Sequence, residues 1–212
     1  LKGHLDTDGH TYHIKVVGNY AYLADNANGI KVVDISDPGN PVLASAFNSS
    51  DSNSFAYGVN IYGNYAYLSC RGAGLEIYDK SDPTDIKFIK KFNTGSFPNE
   101  FLISENFGYL AGGSNGVKIY NLSDPENPTQ IDVLDTGFAW KLWLIGNNLY
   151  VGDFSSGFKI INTGGGSVKD LNNNDVVLTL PVPGETNSLS ANKALVIDNT
   201  IPTVTNVTSN MA

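Results

Sequence analysis

The sequence predicts an all-β fold made of repeated units of four antiparallel strands. Four glycines set the repeat at intervals of 45, 42 and 41 residues, namely Gly29, Gly74, Gly116 and Gly157. The residues around each glycine also repeat, with the same order of turn residues and tyrosines. The composition agrees, because 22 glycines and only 16% charged residues suit short strands joined by tight turns. Such units and such a period are typical of the blades of a β-propeller.

Each repeat begins with a hairpin. In the first copy, an apolar strand over residues 14–17 ends at Gly18 and Asn19, a pair that strongly favours a two-residue turn. A tyrosine-rich strand over residues 20–24 follows, and a short polar loop then ends on the register glycine, where we expect a positive φ. Many of these strands are apolar on both faces, as expected of a sheet that lies between two neighbouring blades.

The second half of each repeat holds a third strand, a Ser-Asp-Pro turn and a fourth strand. In the first copy Asp37 can cap the turn with its side chain, and Pro38 presets φ for it. We therefore predict strands at about residues 10–17, 19–25, 29–35 and 41–47. The fourth copy lacks Ser-Asp-Pro and carries three glycines and a polar insert, so the sequence does not define the outer strand of this blade.

The repeated text resembles a known family. The first copy reads GNYAYLADNANGIKVVDISDP from Gly18, and the second reads GNYAYLSCRGAGLEIYDKSDP from Gly63. This is similar to the LVIVD-repeat family of β-propellers, and the resemblance covers nearly the whole chain. It implies a secreted or surface-anchored prokaryotic protein, commonly without an assigned enzyme activity.

The two ends suggest how the chain is organised. We assign residues 1–198 to the propeller, as four clear repeats and a partial fifth, and residues 199–212 to a linker or the start of a bacterial Ig-like β-sandwich. Residues 1–7 resemble the end of a fourth strand. An alternative is a five-bladed ring in which residues 204–208 supply a third strand and residues 1–6 the fourth, which would seal exposed sheet edges.

Charge and composition exclude several function classes. The net charge is −8, so the chain lacks the basic stripe that phosphate contacts require, and nucleic acid is not an expected partner. No apolar run approaches the length of a membrane span. The single cysteine, Cys70, excludes an internal disulfide, which fits a reducing compartment or a bacterial exterior that does without disulfides.

No catalytic signature, cofactor motif or metal site is predicted. The three histidines could ligate a metal, but His10 aligns with Phe55, Phe97 and Phe138 and is better explained as a packing residue. Cys70 has no base beside it in sequence, so a loop thiol without a function is the better interpretation. Residues 170–175 have the oxygen spacing of a calcium loop but lack its glycine and its final glutamate.

Two other sets of aligned residues have structural explanations. Tyrosines recur at one position of the second strand, where core packing between blades explains them better than an aromatic ligand site. Asp or Asn recurs at the end of the third strand, where a side-chain bond to the following turn explains it. These two sets are Tyr22, Tyr67, Tyr109 and Tyr150, and Asp34, Asp79, Asn121 and Asn162.

The candidate binding face is the one where the chain enters each blade. Loops between second and third strands share this face with the entry segments, and the residues there differ between copies while core positions keep their type. Tyr12, Tyr57 and Trp140 are the expected anchors, because large aromatic side chains dominate binding hot spots. The full set of candidate ligand-binding residues is Tyr12, His13, Asp25, Tyr57, Arg71, Asn99, Glu100, Trp140, Lys141 and Asp153.

The sequence thus predicts a non-catalytic binding or scaffolding module, extracellular or at the cell surface, that recognises a protein or a glycan. The sequence is also compatible with neighbouring domains in a longer chain and with a role as a structural spacer. The alternative is a hydrolase or lyase with a site at the central axis, because this fold also hosts enzymes. Polar groups that converge at one face of the axis would favour the alternative.

Overall fold

The computed structural model describes residues 1–49, 54–163, 168–169 and 175–176. These residues form strands, turns and loops, and none of them lies in a helix. The described strands make three sheets of four strands and one of three, with a separate two-stranded pair. The all-β prediction and the antiparallel four-stranded unit are confirmed.

The first three blades have the same topology, with consecutive strands adjacent in each sheet. Blade 1 consists of β1 (His13–Val17), β2 (Tyr20–Ala24), β3 (Ile30–Asp34) and β4 (Val42–Phe47). Blade 2 consists of β5 (Phe55–Tyr62), β6 (Tyr65–Arg71), β7 (Gly74–Asp79) and β8 (Lys87–Phe92). Blade 3 consists of β9 (Glu100–Ser104), β10 (Phe107–Ala111), β11 (Val117–Asn121) and β12 (Thr129–Leu134).

The fourth blade departs from this pattern. Its described sheet has three strands, β13 (Ala139–Ile145), β14 (Asn148–Asp153) and β15 (Gly157–Asn162). The short strands β16 (Val168–Lys169) and β17 (Asp175–Val176) pair with each other and not with that sheet. Within the described residues, the blade that lacks the Ser-Asp-Pro turn thus has a sheet of three strands and not four.

The blades pack through their faces, with the first strand of each blade touching the first strand of the next. These contacts between β1 and β5, β5 and β9, and β9 and β13 arrange the four sheets as a β-propeller with first strands innermost. Hydrophobic clusters fill the space between neighbouring blades. One joins Tyr22 and Val32 of blade 1 to Val59 and Leu68 of blade 2.

The tyrosine position of the second strand belongs to these clusters. Tyr22 and Tyr67 are fully buried and Tyr109 is nearly so, which confirms the packing explanation, whereas Tyr150 is half-buried. Tyr67 packs with Phe101 of the next blade and donates its hydroxyl to the carbonyl of Pro125 at 2.6 Å. The buried ring therefore joins two blades while its polar group stays satisfied.

The register glycines have the predicted conformation. Gly29, Gly74, Gly116 and Gly157 have φ of 67°, 91°, 68° and 84°. A Cβ on Gly116 would overlap the backbone oxygen of Leu134, which belongs to the fourth strand of the same blade. Glycine is needed there both for the dihedral angle and for the close approach of two chain segments.

The turn prediction is also confirmed. Asp34, Asp79 and Asn121 accept a bond from the backbone N–H two residues later, each at 2.8 Å. In the Ser-Asp-Pro turns that follow, Asp37 and Asp82 accept bonds of the same length from Gly39 and Thr84. Side-chain capping thus fixes the link between the third and fourth strands of each complete blade.

The prediction that residues 1–7 form a strand is wrong for this structure, which assigns them no strand. Leu5 instead packs against Ala21, Leu23 and Val33 of blade 1. Gly3 lies against the turn at Pro38. The segment is therefore held by side-chain packing on blade 1 and not by a ladder of backbone bonds.

Several expectations lie outside the described residues. These are the third strand proposed for residues 204–208, the fifth repeat, the Ig-like tail and the side chains of the polar insert over residues 167–175. Within the described part of the chain, no helix is long and apolar enough to cross a membrane.

Candidate functional site

The entry segments and the loops between second and third strands lie on one face of the propeller. The loop after β2 reaches the next blade through a bridge between Asn26 and Ala56, and the loop after β10 does the same between Gly113 and Ala139. The hydrogen bonds of these bridges are 3.0 to 3.1 Å long. The structure therefore brings together the two loop sets that the sequence assigned to one face.

Two of the predicted anchors are bulge residues. The pairing of β5 with β6 shifts between Ala56 and Gly58, which leaves Tyr57 as the extra residue. The pairing of β13 with β14 shifts between Ala139 and Lys141, which leaves Trp140 in the same position. A β-bulge redirects the side chain of its extra residue, and bulges are common beside functional sites.

The redirected side chains meet over the axis. The ring of Tyr57 lies 4.6 Å from the ring of Tyr12 and 6.5 Å from that of Trp140, between centroids. The guanidinium carbon of Arg71 lies 4.7 Å from the Tyr57 ring centroid and 4.8 Å from that of Trp140. We call Tyr12, Tyr57, Arg71 and Trp140 the aromatic mouth. Its members come from blades 1, 2 and 4.

Two phenylalanines that sequence reasoning missed extend the aromatic mouth over blade 4. Phe138 stacks on Trp140 with centroids 6.2 Å apart and planes at 25°. Phe154 lies 6.1 Å from Trp140 and is 81% exposed. The available signal for Phe138 was the phenylalanine that stands two residues before the entry residue in blades 2, 3 and 4.

That aligned position does not serve the core, contrary to the packing explanation given for His10. His10 is exposed, Phe55 is 43% exposed and Phe97 is 61% exposed. With Arg71, Phe55, Phe97 and Phe138 line a groove of 370 Å³, together with Gly72 and Ser114. His10, Phe97 and Phe138 precede the first strands of their blades, and Phe55 is the first residue of β5, so the position lies at the solvent-exposed start of each blade.

A polar cluster lies one residue further into the axis. His13, Glu100 and Lys141 each follow an entry residue and come from the first strands of blades 1, 3 and 4. Glu100 Oε1 lies 3.6 Å from His13 Nε2 and 3.9 Å from Lys141 Nζ. Its other oxygen accepts the backbone N–H of Leu142 at 2.8 Å. The close approach of β5 and β9 here needs Gly58, since a Cβ would lie 2.9 Å from the carbonyl of Asn99.

The imidazole of His13 is engaged at both nitrogens. Nδ1 lies 3.0 Å from the carbonyl oxygen of Val59 and 3.3 Å from its N–H, while Nε2 faces Glu100. Burial lowers the pKa of His13, the charge of Glu100 raises it, and that of Lys141 lowers it, with a net decrease from 6.5. The neutral ring thus links the first strands of blades 1, 2 and 3.

The remaining predicted residues stabilise this face of the propeller, but their side chains are not exposed on it. Asn99 is 2% exposed and donates from Nδ2 to the carbonyl of Ala139 at 3.2 Å. Asp25 is fully buried and accepts the hydroxyls of Thr7 and Thr11 at 3.0 and 2.9 Å. These side chains position the entry segments of the blades.

Asp153 is the blade 4 counterpart of Asp25. It accepts bonds from the backbone N–H groups of Ser155 and Ser156 at 2.9 and 2.8 Å, and it pairs with Lys159 at 3.2 Å. Burial opposes its ionisation, but the hydrogen bonds outweigh burial and hold its pKa well below the usual range. Asp153 therefore stays charged and fixes the loop that carries Phe154.

Cys70 lies in β6 and is fully buried, so it is a core residue and not the loop thiol that the sequence indicated. Burial, followed by the charge of Glu76, raises the pKa of its thiol. Such a thiol is a poor nucleophile. Among the described residues, no group of three or more His, Cys, Asp or Glu side chains is placed to hold a metal.

These features define a repeat β-propeller whose blades share their core positions and differ at one face. The LVIVD repeat family matches residues 8–49, 55–94, 100–136 and 136–162. The chain belongs to the LVIVD repeat family. The matched segments coincide with the four blades, and a comparison with the curated proteins gives no match.

Solved structures share the fold at low identity. The computationally designed Ika4 protein is 14% identical with a TM-score of 0.56, over 77% of this chain and 96% of that one. The designed Ika8 protein is 12% identical with a TM-score of 0.55, over 77% and 50%. A functionally unknown protein from Desulfotomaculum acetoxidans DSM 771 is 15% identical with a TM-score of 0.58, over 79% and 56%. The chain thus spans about half the length of the last two.

Proposed function

We propose that this chain is a non-catalytic extracellular or cell-surface binding module that recognises a protein or glycan through the aromatic mouth. The observation that carries the proposal is the convergence of Tyr12, Tyr57 and Trp140 around Arg71 at one end of the axis. Tyr12 is 51% exposed, so these rings are accessible to a ligand. Large aromatic and arginine side chains contribute most of the binding free energy in typical interfaces.

The contrast with the core supports this function. Tyrosine repeats from blade to blade in the second strands and is buried in the first three blades, whereas the aromatic side chains at the mouth differ between blades and remain partly exposed. A set of partly exposed rings costs solvation free energy unless a partner covers it. Binding is a physical reason to keep such rings at the surface.

The enzyme alternative rests on the polar cluster, because His13, Glu100 and Lys141 do converge at the axis. A general base needs a free lone pair within reach of the substrate. The ring of His13 is occupied by Val59 and Glu100, and Glu100 is itself held by Lys141 and the Leu142 N–H. The cluster is thus internally paired, and this favours a structural role in joining blades.

The experiment uses the two tryptophans of the chain, Trp140 and Trp143. In a Trp143→Phe variant only Trp140 fluoresces, so ligands at the mouth change its emission. The probes are a panel of soluble polysaccharides, followed by a displayed random-peptide library as the protein arm. For a probe that binds, the affinity of each variant is then measured by isothermal titration calorimetry, and Trp140→Ala should weaken binding by about 30-fold if the residue is a hot spot.

The matched control is Trp143→Ala. Trp143 lies on the same strand and is 67% exposed, but it does not belong to the aromatic mouth, so its removal should leave affinity unchanged. Tyr57→Ala should behave like Trp140→Ala. Equal affinity in all three variants, with the circular dichroism spectrum intact, would move the site elsewhere. Failure of every polysaccharide and peptide to bind would reject the function.

A further inference from the structure

We infer that the ligand of the aromatic mouth is a saccharide that bears a carboxylate, and that Arg71 binds this carboxylate. The inference rests on the proposed function and adds the ligand class. Among the described residues, the buried Arg71 Nε has no hydrogen-bond partner and the Arg71 side chain forms no ion pair. A buried donor left unpaired costs free energy, so a bound acceptor would be stabilised there.

The surroundings of Arg71 restrict how a ligand approaches it. Its guanidinium lies against the rings of Tyr57 and Trp140, which restrict access to its faces. Its N–H groups lie in the plane of the guanidinium, along its edge. The edge of an arginine guanidinium can form two parallel hydrogen bonds with a carboxylate. Stacking on aromatic rings already restricts the arginine side chain, so it loses less conformational entropy on binding.

The local charge favours a singly charged acid over a phosphate. Within the part of the chain that the structure describes, Arg71 has no acidic partner, whereas Lys141 pairs with Glu100. The whole chain carries a net charge of −8, so a second negative charge on the ligand would be repelled without compensation. One guanidinium neutralises one carboxylate, and the complex then adds no further negative charge.

The rings beside Arg71 favour a sugar over a peptide. Phe138, Trp140 and Phe154 pack against one another in a triangle, with centroids 5.9 to 6.2 Å apart and planes that differ by 25°, 38° and 59°. The exposed faces of such a cluster suit the C–H face of a sugar ring, which packs on aromatic surfaces. The groove beside them is lined by three phenylalanines, Arg71, Gly72 and Ser114, so the guanidinium and the aromatic surface face the same space.

The test compares two saccharides, each as a free acid and as its methyl ester. A trisaccharide that carries one galacturonic acid, and one that carries one mannuronic acid, are each titrated with their methyl esters by isothermal calorimetry at about 150 mM salt, where surface repulsion is screened beyond roughly 8 Å. At least one acid should bind about tenfold or more tightly than its ester, as expected when a charge-assisted hydrogen bond is lost. Arg71→Gln should remove this preference.

Arg71→Lys is the matched variant, because it keeps the charge but loses the planar pair of donors. We expect it to retain only part of the preference for the acid. Equal binding of acid and ester, unchanged by Arg71→Gln, would overturn the inference and leave the proposed function standing. So would binding of only neutral polysaccharides or peptides in the fluorescence panel. Thermal melting of each variant confirms that the fold is retained.

Discussion

Tyr67 and Tyr57 lie in the same blade, ten residues apart, and have opposite environments. Tyr67 repeats in other blades, is fully buried and spans two blades with its ring. Tyr57 has no tyrosine at the equivalent position of blade 3 or 4, and it sits on a bulge at the mouth. Residues that repeat hold the propeller together, and residues that vary are placed where a partner can touch them.

The largest effect is expected from removing the repeated tyrosine. Tyr67→Ala empties a fully buried site, so we expect a loss of about 3–5 kcal/mol in the free energy of unfolding, measured by urea denaturation. Tyr67→Phe loses only the bond to Pro125 and should cost about 1 kcal/mol. Tyr57→Ala should cost less than Tyr67→Ala. The comparison fails if both alanine variants are equally destabilised.

A second effect concerns the register glycine of blade 3. Gly116→Ala combines a positive φ with an overlap against Leu134, so we expect a loss of about 1–3 kcal/mol in unfolding free energy. Gly18→Ala is the matched control, because Gly18 has φ of 57° but open space around its Cβ position. The difference between the two losses in unfolding free energy measures the cost of the overlap with Leu134. Equal melting temperatures would show that the loop adjusts.

The smallest effect concerns pH. Because the folded protein lowers the pKa of His13 below 6.5, the unfolded chain binds this proton more readily, and stability declines as pH falls below about 6.5. Melting temperatures between pH 7 and 5 should therefore fall more steeply for the native chain than for His13→Asn. An identical slope in both would show that the axial cluster does not sense protonation.

The sequence predicted the blades because their signals are local. Gly-Asn pairs, register glycines and Ser-Asp-Pro turns each act within a few residues, so their positions carried over to the strands of three blades. Residues 1–7 show the limit of this reasoning. Their pattern fits a strand, but a strand also needs a partner, and the structure packs Leu5 on blade 1 instead.

The site was predictable only in part. The sequence indicated that entry residues share a face, and Tyr12, Tyr57, Arg71 and Trp140 do meet there. It did not show that Asn99 turns inward, because β9 pairs with β10 in a continuous register, without the bulges that redirect Tyr57 and Trp140. The aligned position of Phe55 and Phe97 suggests core residues, but an apolar residue in an aligned position does not reveal which side faces water, and both side chains are exposed.

The bulges at Tyr57 and Trp140 have a consequence for how this protein could diversify. A bulge residue has no partner residue directly across the ladder, so its side chain can be exchanged without altering strand register. The mouth is thus separable from the scaffold in evolution, in the way that hypervariable loops are separable from an antibody framework. Randomising these two positions, with Arg71 kept or replaced, would give a library of propellers of one stability and many specificities.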